Sequence, residues 1–141
     1  MANLNITGMD EMIAKIDMMG SSVDAACCEA VHAGAEVALE CMRAEIPVSN
    51  VHTEHLRDHI KIVREGHDPI DGYYCDIYPD GVRPGGGKAG GRRYATIGFV
   101  LEYGHSGVPP KPWMRTGIEK GRQRISAAMQ GVLMEKLGGK G

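Results

Sequence analysis

The chain has 141 residues, a net charge of −2 and 43% hydrophobic residues, values that predict a single globular domain over residues 1–141. No apolar run approaches the roughly 20 residues of a membrane span, and the four cysteines are too few and too irregular for a disulfide scaffold. The composition therefore argues against a membrane protein and against a secreted disulfide-rich one, and it favours a reducing compartment.

Charge and glycine are unevenly distributed. Residues 1–46 contain eight acidic and two basic side chains, whereas residues 47–141 contain ten acidic and fourteen basic ones. This split favours subunits that stack unlike surfaces on one another, as in a ring, although one acidic solvated helix would also account for it. Glycine supplies 20 residues and aromatic residues only 5%, which favours a protein whose shape is completed by its neighbours.

The N-terminal part of the chain predicts two helices. Apolar residues at three-to-four spacing predict an amphipathic helix over residues 9–19. Ser21 or Ser22 caps a second helix that runs to about Glu45, because Pro47 disfavours helical geometry in the residue before it. One face of this second helix carries small apolar residues: Val23, Cys27, Ala30, Gly34, Val37, Ala38 and Cys41.

The middle of the chain predicts short strands, and its end predicts one long helix. Strands are indicated over residues 60–63, 73–78 and 93–99, with a turn-rich stretch at 65–72 and a long glycine-rich loop at Gly81–Gly91. The last helix begins at Pro112 and needs close packing to persist, because each of three glycines costs roughly 1 kcal/mol relative to alanine: Gly117, Gly121 and Gly131.

These elements predict an α+β fold. It consists of two N-terminal helices, a small mainly antiparallel sheet with a long glycine-rich loop, and one long C-terminal helix packed on one face of the sheet.

The sequence offers no motif that indicates catalysis, and we predict neither an enzyme nor a cofactor. The glycine-rich loop does not fit a phosphate-binding loop, because Val82 and Ala89 occupy the positions around Lys88 where that motif needs glycine and Ser or Thr. Three histidines have a spacing that would suit a metal ion on a helix, although their segment is predicted as a turn that leads into a strand: His52, His55 and His59.

Three segments, in this order, resemble the motifs of a known family. The first follows the end of the acidic helix and contains Pro47, Thr53, Leu56 and Arg57. The second precedes the predicted C-terminal helix and contains Tyr94, Ala95, Glu102, Tyr103 and Gly104. The third opens that helix and contains Pro112, Trp113 and Arg115. The pattern resembles the small tail-component proteins in the neck of tailed bacteriophages, of the tail-completion or tail-terminator type found in phage lambda.

The resemblance implies a structural virion protein that completes or terminates the tail tube and joins it to the head. Such proteins act as rings, usually of six subunits, so the implied partners are further copies of this chain, the tail-tube protein and head-side connector proteins. Viral DNA would pass through the ring without sequence readout, and no membrane is involved. The implied location is the tail or neck of the virion, with the host cytoplasm during assembly.

Within this resemblance the motif residues have structural roles. Glu102, Tyr103 and Gly104 are expected to reverse the chain, with Tyr103 covering the edge of the core. Pro112 and Trp113 are expected to fix and anchor the start of the last helix.

Four basic residues in a stretch without acids form the candidate interface: Arg83, Lys88, Arg92 and Arg93. In a ring they would face DNA in the channel or an acidic neighbouring surface, and the second is favoured because a channel that gripped DNA would slow its exit. Two alternatives remain: a nucleic-acid-binding module that uses this loop, and a metal-binding protein or metal-dependent enzyme built on the histidines.

Overall fold

The computed structural model describes residues 2–3, 12–13, 22–48, 55–84 and 91–138. The α+β fold class is confirmed. The elements in chain order are β1 (Ala2–Asn3), α1 (Ser22–Glu45), a 3-10 turn (Leu56–Asp58), β2 (Ile60–Asp68), β3 (Gly72–Pro79), β4 (Val82–Arg83), β5 (Arg92–Arg93), α2 (Tyr94–Tyr103) and α3 (Trp113–Leu133). The predicted helix over residues 9–19 lies outside the described residues except for Met12 and Ile13, which are helical and pack against the core.

The first described strands form one small sheet with the order β1–β3–β2, in which both pairings are antiparallel. A separate two-residue antiparallel ladder joins β4 to β5. The sheet lies against α1. α3 packs on another side of α1 rather than on the sheet, so the prediction that the last helix packs on one face of the sheet is wrong; the glycines of α3 let it approach α1 closely instead.

α1 is the centre of the core, and its bounds agree with the predicted second helix. Its buried face is wider than the predicted stripe because the helix is covered by α3 on one side and by β2 and β3 on the other. The buried residues of α1 are Val23, Ala26, Cys27, Ala30, Val31, Gly34, Ala35, Ala38, Cys41 and Met42.

The hairpin of β2 and β3 is longer than predicted. Residues 65–68 continue β2, so the prediction of a turn-rich stretch from residue 65 is wrong for these four residues. Their backbone groups pair with β3, which outweighs the local turn preference of the sequence. The turn itself is tight, because Asp68 Oδ1 accepts the backbone N–H groups of Ile70 at 2.8 Å and Asp71 at 3.1 Å.

A β-bulge changes which residues of β2 face α1. Val63 has no partner in β3, because it falls between the paired residues Ile62 and Arg64. One extra residue reverses the alternation of side chains from that point onward. As a result, Glu65 lies directly opposite Cys75, on the side of the hairpin where Ile62 also points.

The segment predicted as the third strand, residues 93–99, is helical. Only its first residue belongs to a strand, and α2 covers the rest. Aromatic and β-branched residues suggested a strand, but they tolerate a helix when its buried side is packed, because tertiary contacts override propensity. The buried residues of α2 are four apart, which is helical spacing: Tyr94, Gly98 and Glu102.

Gly104 ends α2 by the predicted chain reversal. Its φ is +73°, its N–H donates to the carbonyl oxygen of Val100 at 2.8 Å, and a Cβ here would lie 2.8 Å from the carbonyl oxygen of Val108. The prediction that Tyr103 covers the edge of the core is wrong, because its side chain is 63% exposed. Adjacent helical residues point about 100° apart, and here the buried one is Glu102.

α3 approaches α1 closely at glycine positions. A Cβ on Gly117 would lie 2.7 Å from Cα of Met42, and a Cβ on Gly121 would lie 2.5 Å from Sγ of Cys41. The predicted close packing is therefore confirmed for these two glycines, whereas Gly131 meets nothing within 4 Å. The buried residues of α3 form one stripe: Trp113, Gly117, Gly121, Ile125, Met129 and Leu133.

Ion pairs connect α1 to α3 and to the π-helical segment Met134–Gly138 that follows α3. Exposed pairs of this kind contribute little each, about 0–1 kcal/mol, but they match acidic and basic parts of the sequence within one chain. Some of the acidic side chains whose excess suggested contacts between subunits are thus neutralised by basic side chains of the same subunit. The pairs are Glu45–Lys120 at 2.8 Å, Glu40–Arg124 at 3.3 Å and Glu29–Lys136 at 3.3 Å.

Candidate functional site

The 3-10 turn, α2 and the start of α3, which carry residues of the three sequence motifs, meet at one junction. The indole N–H of Trp113 donates to the carbonyl oxygen of Gly98 at 3.0 Å, and the indole is buried. A Cβ on Gly98 would lie 3.1 Å from the Trp113 ring and 3.7 Å from the Leu56 side chain. The expected anchoring role of Trp113 agrees with this geometry, because the ring is buried, hydrogen-bonded and in close contact with Gly98.

Glu102 connects the end of α2 to the beginning of α3. Its carboxylate accepts the backbone N–H of Met114 at 2.8 Å and of Arg115 at 3.2 Å. These are unpaired donors of the first helical turn, because α3 begins at Trp113, with Pro112 as its N-cap residue rather than as its first residue. A negative charge at a helix N-terminus is also favourable for the helix dipole.

Glu102→Ala should lower the free energy of unfolding by about 0.5–2 kcal/mol, because the first turn of α3 loses its acceptor. Glu102→Gln keeps an acceptor oxygen and should lose less. Urea unfolding followed by circular dichroism measures both. Equal losses in the two variants would contradict the capping role.

The remaining motif residues lie at the surface or outside the described ranges. Ala95 is half-buried, and the others among them that the structure describes are exposed. Their exposure separates them from the junction, where burial accounts for the motif. They are Pro47, Arg57, Ala95 and Arg115, while Thr53 lies outside the described residues.

The pairing of β4 with β5, here called the basic hairpin, brings three of the four predicted interface residues together. Arg83 lies directly opposite Arg92, and Val82 lies opposite Arg93. Within the described residues, the three arginines form no ion pair, and Nε of Arg83 is buried without a hydrogen-bond partner. The hairpin therefore presents positive charge that the described residues do not neutralise. Like charges opposite one another also destabilise its ladder. Lys88 lies outside the described residues.

Next to the basic hairpin, α2 exposes two aromatic rings. Phe99 and Tyr103 are 61% and 63% exposed, and their ring centroids are 4.9 Å apart. Phe99 and Arg93 line the same shallow depression of about 260 Å³. Large aromatic side chains are enriched in protein interfaces, and this chain contains few of them. The aromatic face of α2, meaning Phe99 and Tyr103, is therefore a second candidate contact surface.

A cluster of polar side chains joins α1 to the hairpin on another side of the molecule. Nδ1 of His32 lies 2.7 Å from Oε2 of Glu65, and its Nε2 lies 3.2 Å from Oε1 of Glu36. The thiol of Cys75 donates to the same Oε2 of Glu65 at 3.6 Å. This cluster was not predicted, because its members are far apart in the sequence and meet only in the folded hairpin.

The contacts within this cluster shift its ionisation. The hydrogen bond with Glu65 raises the pKa of His32 above its ordinary value, and the same bond lowers the pKa of Glu65. Burial, reinforced by the negative charge of Glu65, raises the pKa of Cys75 to about 12. At neutral pH Cys75 is consequently a thiol that can donate to the carboxylate.

At neutral pH, iodoacetamide should alkylate Cys28 in the folded protein and leave the other three cysteines unmodified. Cys28 is exposed, whereas Cys27, Cys41 and Cys75 are buried, and the thiolate is the reactive form. Partial burial raises the pKa of Cys28 too, so its reaction should be slower than that of a small free thiol. Mass spectrometry of digests shows the pattern, with denatured protein as the control in which all four react. Early modification of Cys75 would contradict its burial.

The histidines that the sequence suggested for a metal do not belong to this cluster. His59 stacks on Tyr94, with ring centroids 4.0 Å apart and planes 11° apart. His55 precedes the 3-10 turn, and His52 lies outside the described residues. Stacking gives His59 a packing role.

Comparison with known proteins leaves these sites to be interpreted from their geometry. In the described ranges, no helix combines the length and the apolar character that crossing a membrane requires. Scans against protein-family models, curated proteins and solved structures found no match for this chain.

Proposed function

We propose that this chain is a structural protein in the neck of a tailed-phage virion. It completes or terminates the tail tube as a ring of six copies around the DNA channel and joins the tube to the head. In isolation it is a monomer or a weak oligomer, and the ring forms on the particle. The observation that carries this proposal is that the three motif segments meet. Leu56 of the first and Trp113 of the third both lie beside Gly98 of α2, and Glu102 of the second accepts the backbone N–H of Arg115 of the third.

The buried motif residues support a structural role, because burial and hydrogen bonding account for them without a substrate. Trp113 and Tyr94 are almost completely buried, and Glu102 uses its carboxylate for the backbone of α3. A set of residues that holds two helices and a turn in fixed positions is what a protein needs when its surface must fit neighbours on all sides.

Two neighbouring surface features support assembly. The aromatic face of α2 is apolar and exposed, and the basic hairpin beside it carries unneutralised charge. Apolar contact supplies affinity, while charge complementarity selects the orientation of the partner. We assign this combined surface to the contact with the next copy of the chain in the ring.

Electron microscopy of phage particles tests the proposal. When the gene carries an amber codon, lysates of cells without a suppressor should contain filled heads and tails that are not joined. Wild-type protein supplied from a plasmid should restore joining, and the double variant Phe99→Ser with Tyr103→Ser should not. The control Ile70→Ser, which removes an apolar side chain that is 92% exposed on the β2–β3 turn, should restore it. Joined, infectious particles without the protein would overturn the proposal.

Replacement of all four basic interface residues by serine should leave heads and tails unjoined. The variant combines Arg83→Ser, Lys88→Ser, Arg92→Ser and Arg93→Ser. Its melting temperature should be unchanged or higher, because the like charges of Arg83 and Arg92 no longer face each other. Particles that join normally but package or eject DNA poorly would instead mean that these residues face the DNA channel.

A nucleic-acid-binding module is the second candidate, and the basic hairpin favours it. Binding through arginines to phosphates would be independent of sequence and would weaken steeply between about 50 mM and 200 mM salt. Fluorescence anisotropy of the isolated protein with duplex and single-stranded oligonucleotides measures this. Submicromolar, salt-sensitive binding that the four serine replacements abolish would favour this candidate, and absence of binding would favour the structural role.

A further inference from the structure

Three side chains of the types that bind metal ions converge from three different elements. His32 lies on α1, Glu65 on β2 and Cys75 on β3, and one ligand atom of each lies within 4.8 Å of the other two. Among the described residues, no other group of three such side chains comes together in this way. We propose that His32 Nδ1, a carboxylate oxygen of Glu65 and Sγ of Cys75 bind a divalent metal ion of the zinc class.

The ligand atoms are close enough for one tetrahedral ion once the hydrogen bond between His32 and Glu65 opens. With ordinary bond lengths to nitrogen, oxygen and sulfur, the ligand atoms around zinc are about 3.3–3.7 Å apart. Oε2 of Glu65 already lies 3.6 Å from Sγ of Cys75, and it lies 2.7 Å from Nδ1 of His32 because a hydrogen bond connects them. An ion would replace that hydrogen bond, and the exposed side chain of Glu65 has room to move outward.

The orientation of the His32 ring is fixed by a second carboxylate. Nε2 of His32 is within hydrogen-bond distance of Glu36, one helical turn further along α1. Metal-bound histidines commonly donate their other ring N–H to a carboxylate, which fixes the tautomer and strengthens the ligand. Glu36 is therefore a positioning residue, and its contact distinguishes the cluster from a simple ion pair between His32 and Glu65.

The β-bulge at Val63 creates the site. Without the extra residue, the register of Ile62 with Ile77 would continue and the side chain of Glu65 would point to the other face of the hairpin. Bulges often occur beside functional sites, where they redirect a side chain. Here the redirected residue completes a set that joins one helix to two strands.

A groove gives the site access to solvent. Its volume is about 650 Å³, and His32, Glu36 and Glu65 line it together with Cys28. Three protein ligands leave the fourth position of a tetrahedral ion for water from this groove. Because the three ligands belong to α1, β2 and β3, the ion would fasten the helix to the sheet and bind only the folded chain.

Titration of the purified full chain with Co²⁺ tests the site. Binding at neutral pH should produce the near-ultraviolet thiolate-to-cobalt charge-transfer band and the visible bands of tetrahedral cobalt, and Zn²⁺ should displace both. Each ion should release one proton from the Cys75 thiol and a further proton from each His32 that is protonated before binding. The melting temperature should rise with Zn²⁺ and fall again with a chelator.

Variants show whether the proposed ligands are the correct ones. Cys75→Ser should abolish the charge-transfer band, and His32→Gln should weaken binding about 100-fold or more. Glu36→Gln should weaken binding about 10-fold or more while the charge-transfer band of the saturated protein persists. The controls His105→Gln and Cys28→Ser, which replace exposed residues of the same types, should bind as the wild type does.

Three results would overturn the assignment. The first is no binding below millimolar Co²⁺ or Zn²⁺ by wild-type protein that circular dichroism shows to be folded. The second is a charge-transfer band that survives Cys75→Ser in folded protein. The third is loss of the band in Cys28→Ser with Cys75 intact.

Discussion

Ile125→Asp should yield insoluble protein when the chain is expressed. Ile125 is 1% exposed in the middle of α3, and a methyl group of its side chain would lie 3.5 Å from a Cβ on Gly34 of α1. A carboxylate buried there without a partner costs several kcal/mol, comparable to the whole stability of a small domain.

The matched control for this variant is Gln123→Asp, which adds the same charge to the exposed side of the same helix. We expect it to remain soluble, with a melting temperature close to that of the wild type, because exposed substitutions have small effects. Soluble, folded Ile125→Asp with an unchanged melting temperature would contradict the assignment of the buried face of α3. Fractionation of lysates and thermal unfolding by circular dichroism measure the pair.

Gly117→Ala should destabilise the protein by about 1–3 kcal/mol or more, although alanine favours a helix. The added Cβ would lie 2.7 Å from Cα and 2.9 Å from N of Met42, and 2.9 Å from the carbonyl oxygen of Cys41. These are backbone atoms that cannot turn aside, so α3 must move away from α1.

Gly131→Ala on the same helix should have the opposite sign. A Cβ there meets nothing within 4 Å, so the substitution should stabilise the protein by up to about 1 kcal/mol through helix propensity alone. Urea unfolding of both variants gives the two free-energy differences. Stabilisation by Gly117→Ala would contradict the close approach of α3 to α1.

The elements with strong local signals were predictable from the sequence. α1 has a serine at its start, a proline beyond its end and small apolar residues along one side, and its bounds were predicted closely. α2 was mistaken for a strand because its tyrosine and β-branched residues favour strands and no capping side chain marks its start as a helix. The spacing of Tyr94, Gly98 and Glu102 carried the helical signal, and the reversal at Gly104 marked its end.

The candidate sites also differ in how far the sequence predicts them. The group of basic residues was predictable because Arg83, Arg92 and Arg93 belong to one short stretch without acids, whereas the pairing of β4 with β5 was not predicted. The cluster of His32 with Glu65 was not, because a simple alternation from Ile60 would point Glu65 to the opposite face of β2. A bulge is a property of the pairing between two strands, and no residue type near Val63 predicts it.

The glycine contacts between α1 and α3 fix the position of one helix relative to the other. Where α3 touches α1 at a glycine, there is no room for a side chain. A shift of α3 by one turn along α1 would press a side chain against the backbone of α1, and this opposes sliding. A displacement of α3 should therefore also displace α1 and, through it, the sheet that lies against α1. If the chain assembles as proposed, adjustments of fit between neighbouring subunits fall to its surface segments rather than to this pair of helices.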